Sequence, residues 1–521
     1  MLIIKQHLAI IIIVFVLFIV HSILAIIPPL NSDEALYWEH SRHLALGYYS
    51  HPPLTGWLIA AITYLFGTSE YSIRFISIAL HLCVIFIIYV WTNELTKEKK
   101  ISCAAVIIFS LMPVPFFFGS FVTSDCSLFF FYTISTYFVY KAIFSESAKY
   151  WYIAGFAAGG MMLSKFMGFL FFPSVFLFLI VYGKYRYQLL QIHPYFAFII
   201  TLSIFSPFLY WNSQNQWLTF QFNFFARNQN AGLSLLNFIY SFLAQIIALS
   251  PFVFFSFLYL MKNETLKMIN KYSGHINIHE YKKFFLWIMI GFPFIFYFML
   301  SFFVIINPHY IGIVLPLISI VLAQFIYNYD NDYKYIKVNK KKLSIWISSS
   351  LFVLVPFIIL ISFPKIIPDR YLYIDSTNDP NKQVSHIFGW QQIGSYLDKL
   401  ITRYSKLPNG LFIAAPDYGL ASTLAFNTPS KPDIYLINYP KDGFHGKEYL
   451  IWEKNKKKIG YNMIYITDRS KKTFSKISAF FKKTKYLPSF VIKDEKGILR
   501  VFHILIGYHY IGGEPDRLSV L

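Results

Sequence analysis

The sequence predicts an α-helical polytopic membrane protein of about 11–13 transmembrane helices, with a small α/β domain at its C-terminal end. Three observations predict it. Of 521 residues, 56% are hydrophobic and only 14% charged, with a mean hydropathy of +0.49, whereas soluble domains carry about 25% charged residues. Apolar runs of about 20 residues recur, the length that crosses a bilayer core as a helix, and the alternating segments of a membrane β-barrel are absent. From Pro364 onward the composition turns globular, with Pro, Asp, Asn and Lys between short β-like runs.

The first run, 8–30, lacks a small-residue cleavage site and is read as a first transmembrane helix rather than a signal peptide. Further runs cover 72–92, 101–119, 126–144, 194–212, 238–260, 284–304, 311–327 and 343–363. The stretch 150–182 breaks at Ser164-Lys165 into two shorter helices. Orientation follows from the basic loops. Lys97, Lys99, Lys100, Lys184, Arg186, Lys262, Lys267, Lys271, Lys282, Lys283 and the run from Lys334 to Lys342 fall on one side, which is cytoplasmic. Arg42, Lys165 and Arg227 oppose them, with Arg74 at a helix edge. The loop 31–71 therefore faces outward, and so does the C-terminal region. The division expected is 1–363 for the transmembrane domain and 364–521 for the outer α/β domain. Strands are expected at Leu411–Ala415, 434–438, 463–467 and 500–506, with a helix over 391–404.

Charge and cysteines narrow the function. The net charge of +20 is largely topological, and nucleic acid is a poor partner for so apolar a chain. The C-terminal region is basic as well, which fits anionic head groups or an anionic substrate, or simply a solvated surface. Cys83, Cys103 and Cys126 all lie in or beside apolar runs, giving neither a disulfide framework nor a CxxC metal site. No P-loop or GxGxxG follows a strand. Gly159-Gly160 inside a helix reads as close helix packing.

The chemistry-bearing residues lie in the outward loops. In Asn31-Ser32-Asp33-Glu34-Ala35-Leu36-Tyr37-Trp38, Asn31 or Ser32 caps a helix with Asp33 and Glu34 in its first turn. That pattern is either a plain helix start or a carboxylate pair able to activate a hydroxyl. Downstream, Gly47-Tyr48-Tyr49-Ser50-His51-Pro52-Pro53 puts His51 at a proline break, beside Tyr48. Thr123-Ser124-Asp125 sets a third carboxylate at a helix start on the same side, either an N-terminal cap or a functional group. Lys165 at the half-helix break and Arg227 between two spans are cations for a phosphate, or, for Lys165, a snorkelling side chain. His309, in Asn307-Pro308-His309-Tyr310, opens another helix from the outer side.

The first-loop motif Asp33-Glu34-Ala35-Leu36-Tyr37-Trp38, continued by His43-Leu44-Ala45-Leu46-Gly47-Tyr48-Tyr49-Ser50-His51-Pro52-Pro53-Leu54, resembles the bacterial GT-C glycosyltransferases. The branch is glycosyltransferase family 39, the dolichyl-phosphate-mannose protein mannosyltransferase-like group that includes the lipid A aminoarabinose transferases. The resemblance continues through Thr123-Ser124-Asp125, Leu163-Ser164-Lys165, Ser206-Pro207-Phe208-Leu209-Tyr210-Trp211-Asn212 and Asn307-Pro308-His309-Tyr310. It reaches Gly389-Trp390 and Asp417-Tyr418-Gly419-Leu420-Ala421-Ser422 in the tail. It implies a GT-C catalytic domain in the bacterial cytoplasmic membrane, a polyprenyl-phosphate sugar donor and inverting transfer on the periplasmic side.

On that resemblance Asp33 is the general base, with Glu34 and Asp125 orienting substrate or base. His51, Tyr48, Lys165, Arg227 and His309 are the substrate-binding candidates. No cofactor is implied with certainty, and a divalent metal is left open. The chain departs from the aminoarabinose branch in having Leu36 in place of an Arg, His51 in place of a Lys, and Ser50 where close relatives have Asp, so the sugar does not transfer by analogy. The acceptor expected is an envelope glycolipid such as lipid A or another part of lipopolysaccharide. Protein O-glycosylation is the alternative within enzymes, and a lipid-linked sugar transporter or flippase the alternative class. Transporters place ionisable groups near the bilayer midplane and carry repeats; here the carboxylates sit at the outer boundary.

Overall fold

The computed structural model describes residues 2–229, 231–271, 276–327, 339–373, 387–437, 446–453, 458–469 and 473–512. The expected basic residues Lys334 and Lys337 lie outside these. The helices in chain order are α1 (Leu2–Leu24), α2 (Ser32–Arg42), α3 (Leu54–Phe66), α4 (Glu70–Thr96), α5 (Lys99–Leu111), α6 (Pro113–Phe118), α7 (Ser124–Ser145) and α8 (Ala148–Ser164). Next come α9 (Phe171–Val181), α10 (Ile192–Gln214), the single turn α11 (Leu218–Phe220), α12 (Leu235–Leu249), α13 (Pro251–Lys271), α14 (Ile278–Leu300), α15 (Leu315–Ile326) and α16 (Lys340–Ser362).

Five of these, α4, α7, α10, α14 and α16, are each long and apolar enough to cross a membrane, and two bent pairs reach that length together. The apolar segments Leu8–Leu24, Leu54–Phe66 and Tyr310–Ile326 are shorter.

Three departures from the expected spans have local causes. The run 101–119 is two helices, because Pro113 cannot donate to the carbonyl four residues back and α5 ends at Leu111. The run 238–260 also divides, at Ser250-Pro251, where Ser250 has φ +71° and the chain turns through 106° between α12 and α13. The outer loop contains a helix, α3, that the sequence reading left inside loop 31–71. The break at Lys165 is present as expected, followed by a 3-10 turn over Phe166–Leu170. Close packing explains Gly159-Gly160: a Cβ on Gly159 would lie 2.6 Å from Ile204, and one on Gly160 2.6 Å from Phe131.

The C-terminal region adds α17 (Asp369–Leu372), α18 (Trp390–Tyr404), β1 (Leu411–Ala415), α19 (Tyr418–Asn427), β2 (Ile434–Leu436), α20 (Glu448–Glu453), β3 (Asn462–Thr467), α21 (Thr473–Ser478), β4 (Phe481–Tyr486), β5 (Phe490–Lys493) and β6 (Ile498–Tyr510). The sheet runs β2-β1-β3-β6-β4, with β5 also on β6. Its β2-β1-β3 half is parallel and its β6 pairings are antiparallel. The four expected strands are present; β4 and β5, rich in Lys and Pro-flanked, were not read from the sequence.

One apolar core joins this sheet to the outer loop. Leu36, Tyr37 and Trp38 of α2, Ile59 of α3, and Ile73 and Ile76 of α4 pack in the same cluster as Leu420, Leu424, Ile464 and Ile504. Helices α2 and α19 therefore lie against one another, and their N-terminal ends meet.

Candidate active site

Asn31 is the residue that caps α2. Its side chain accepts from the backbone N–H groups of Asp33 and Glu34, and Glu34 reaches back to the Asn31 N–H, closing a capping box. The cap fixes the first helical turn, and with it the opposite directions of the two carboxylates.

Glu34 points inward and is fully buried. It holds Arg74, also fully buried, at 2.6 and 2.8 Å, and accepts the Val122 N–H at 3.1 Å. The guanidinium spends its other donors on the carbonyls of Ala25, Pro28 and Pro29. Glu34 does not line the cavity that Asp33 enters; of the two roles expected for it, orienting substrate or orienting the base, its contacts fit the second, since it anchors α2 to α4 and to the turn before α7.

Asp33 points outward into a cavity of about 770 Å³. The same cavity is lined by His51, Asp125, Lys165, Arg227 and His309, so six of the eight residues singled out in the sequence converge there from separate segments. The Tyr418 hydroxyl donates to Asp33 Oδ1 at 3.1 Å. The opposite wall is apolar: Val114, Phe117 and Phe118 of α6, Ile247 and Ala248 of α12, and Val353 and Phe357 of α16. The proline break before α6 and the bend after α12 bring these walls to the cavity.

Asp125 lies one residue into α7, after the cap Thr123. Both its oxygens bond the Lys165 ammonium, at 3.0 and 2.8 Å, with both side chains largely buried. Lys165 is thereby fixed, with one of its three N–H donors left for a ligand. Arg227 lines the cavity, is exposed, and has no hydrogen-bond or ion-pair partner among the described residues, so its guanidinium is uncommitted. Burial lowers the pKa of His309 to about 4, with Lys165 and Arg227 adding to the effect against Asp125. His309 is therefore neutral near pH 7 and contributes hydrogen bonding rather than charge.

Tyr48 stands elsewhere. It is buried, stacks on the His40 ring at 3.9 Å and donates to the His40 carbonyl at 2.6 Å. It lines a separate cavity of about 410 Å³ with Trp211 and Trp452. It does not line the cavity that His51 enters: the chain reverses between the two, with the Tyr48 N–H bonded to the His51 carbonyl. Its immediate neighbourhood is held from the C-terminal region, where the buried Glu448 accepts from the Ser50 backbone N–H at 2.9 Å and from the Ser50 hydroxyl.

Sequence reasoning missed two contributors. Tyr37 of α2 lines the cavity and donates to the Ser124 hydroxyl at 3.2 Å. Tyr418 arrives from the far end of the chain. Among the described residues no three His, Cys, Asp or Glu side chains form a group suited to a metal ion.

Residues 50–211 match the family described as dolichyl-phosphate-mannose-protein mannosyltransferase. The lipid A galacturonosyltransferase RgtD of Rhizobium johnstonii is 26% identical over 231 residues, which is 44% of this chain and 48% of that protein. The chain thus spans about half the length of that curated relative. ArnT from Cupriavidus metallidurans, solved in the apo state and bound to undecaprenyl phosphate, has the same fold. Both structures superimpose with a TM-score of 0.60 at 14% and 15% identity, covering 95% of this chain and 97% of theirs.

The fold is that of the GT-C membrane proteins, as the superposition on ArnT shows. Within that fold the segment 50–211 is similar to the dolichyl-phosphate-mannose-protein mannosyltransferase family.

Proposed function

We propose that this chain is an inverting glycosyltransferase that moves a sugar from a polyprenyl-phosphate donor to an envelope glycolipid such as lipid A or lipopolysaccharide. The observation that carries the reading is the asymmetry of the large cavity. A carboxylate, Asp33, shares it with two cations, Lys165 and Arg227, and with an apolar wall. A polyprenyl-phosphate sugar has that same division: a hydrocarbon chain, an anionic link and a polar sugar. RgtD is named for transfer to lipid A, and one ArnT structure holds undecaprenyl phosphate, which supports the donor class and favours a glycolipid acceptor.

In this reading the acceptor hydroxyl oxygen attacks the anomeric carbon while its proton passes to Asp33. The bond from that carbon to the phosphate oxygen breaks, and the lipid phosphate leaves with its electron pair. Arg227, by a two-pronged contact, and the remaining N–H of Lys165 take up the charge that grows on the leaving oxygen. Asp125 holds Lys165 in place. The cavity and the C-terminal region, 364–521, lie on the periplasmic side of the cytoplasmic membrane, since the basic loops crowd the other side.

The test is mass spectrometry of lipid A and total glycolipids from a deletion strain complemented with wild type or Asp33→Asn. A glycan that wild type restores and Asp33→Asn does not is the expected result. The family described for residues 50–211 favours protein O-glycosylation as the second reading. Unchanged glycolipids together with loss of a glycan from exported proteins would establish it instead.

A further inference from the structure

Helix α19 begins at the cavity although it belongs to the C-terminal sheet. Its first residue, Tyr418, donates to Asp33 Oδ1 at 3.1 Å and its ring lines the cavity. Oδ2 of Asp33 has no hydrogen-bond partner among the described residues. The start of α19 is held on three sides. Asp417 caps it by accepting the Leu420 N–H at 3.0 Å, and Arg469 fixes Asp417 at 2.8 Å. Gly419 lies so close to α2 that a Cβ there would come within 3.0 Å of the Ser32 hydroxyl. Burial first, and the neighbouring Asp33 second, push the Tyr418 hydroxyl well above the usual phenol range, so it stays protonated and remains a donor.

We propose that Tyr418 is a positioning residue for the transfer step: the C-terminal region supplies the hydroxyl that fixes the Asp33 carboxylate and leaves Oδ2 turned to the acceptor. The proposal rests on the reading of Asp33 as base. A carboxylate held by one oxygen loses rotamer freedom before the acceptor arrives, and the donated hydrogen bond favours its charged, proton-accepting form. The region beyond the membrane helices is then a working part of the site, not only a tether.

The test uses the full chain in nanodiscs with a synthetic polyprenyl-phosphate sugar. Tyr418→Phe keeps the ring and its packing and removes only the hydroxyl. It is expected to lower kcat by roughly ten- to hundredfold, the effect of one hydrogen bond to a charged group, with the donor KM unchanged. The acid limb of its kcat/KM profile should move to higher pH, because the carboxylate has lost a donor that favours its charged form. Tyr37, His51, Asp125, Lys165, Arg227 and His309 share the cavity with Asp33 and are all retained, so the displaced limb reports the lost hydroxyl. Wild-type kcat and an unmoved limb in Tyr418→Phe, with Asp33→Asn inactive, overturn the proposal and leave the base in place. A fall in kcat with a raised KM and an unmoved limb also overturns it, by showing a packing role alone. Wild-type turnover by Asp33→Asn removes the base itself, and the proposal with it.

Discussion

Arg74→Ala strands a buried carboxylate. Arg74 and Glu34 are both fully buried, and the guanidinium makes two hydrogen bonds to Glu34, at 2.6 and 2.8 Å, and three to backbone carbonyls at 2.7 to 2.9 Å. Removing one partner of such a pair costs about 3–5 kcal/mol, most of it the penalty of an uncompensated charge. Glu34 keeps three donors, the Asn31 N–H, the Asn31 side-chain amide and the Val122 N–H, each at 3.1 Å. These hold the expected loss near the lower bound, about 3 kcal/mol. Glu34→Gln removes the stranded charge, so the double variant Arg74→Ala/Glu34→Gln should be less damaged than the sum of its parts, with a coupling of about 1.5 kcal/mol or more. Equilibrium unfolding of the full chain in mixed micelles measures all four corners of the cycle. Wild-type stability in Arg74→Ala, or strict additivity in the double variant, would refute the account of Glu34 as an anchor. Because Asp33 precedes Glu34 in the same capped turn, Arg74→Ala should also lower turnover at temperatures where the protein is still folded.

Three further outcomes are expected. Arg227→Ala should lower kcat/KM for the donor by roughly ten- to hundredfold, and Lys165→Ala by more, because it also leaves Asp125 buried without its cation; steady-state kinetics with a synthetic donor reads both. Burial holds His309 near pKa 4, whereas an unfolded histidine titrates near 6.5; between those values the unfolded chain binds more protons, so the contribution is complete above about 6.5 and is lost as pH falls towards 4. His309→Gln should flatten that part of a stability–pH curve measured by intrinsic fluorescence. Alkaline phosphatase fused after Ser376 should be active and a fusion after Lys340 inactive; the reverse pattern would invert the proposed orientation.

How much of this was legible in the sequence varies with the range of the interaction. The helix start at Asn31, the carboxylates at Asp33 and Asp125, and the break at Lys165 are local signals of capping and hydropathy, and each was readable where it stands. The pairing of Glu34 with Arg74 was not: a first-turn Glu reads the same whether it faces solvent or a buried guanidinium 40 residues away. Tyr48 was grouped with His51 because the two are close in sequence, and a chain reversal separates them. The turn at Ser250-Pro251 does leave a sign in its proline, but a proline inside a long apolar run reads equally as a kink within one span, and the 106° angle is not readable from it. Tyr418 stood inside the tail segment Asp417-Tyr418-Gly419 that carries the family resemblance, but no local chemistry marked it as a neighbour of Asp33, 385 positions away.

The core shared by the outer loop and the C-terminal sheet has a practical consequence for protein engineering. A chimaera cut near residue 364, exchanging the whole C-terminal region with that of a relative, would set a foreign α19 against the native α2 and mismatch Leu36, Tyr37 and Trp38 with Leu420 and Leu424. The exchangeable module is not a continuous length of chain but a matched pair of helices, and a graft that carries α2 and α19 together is the one expected to fold.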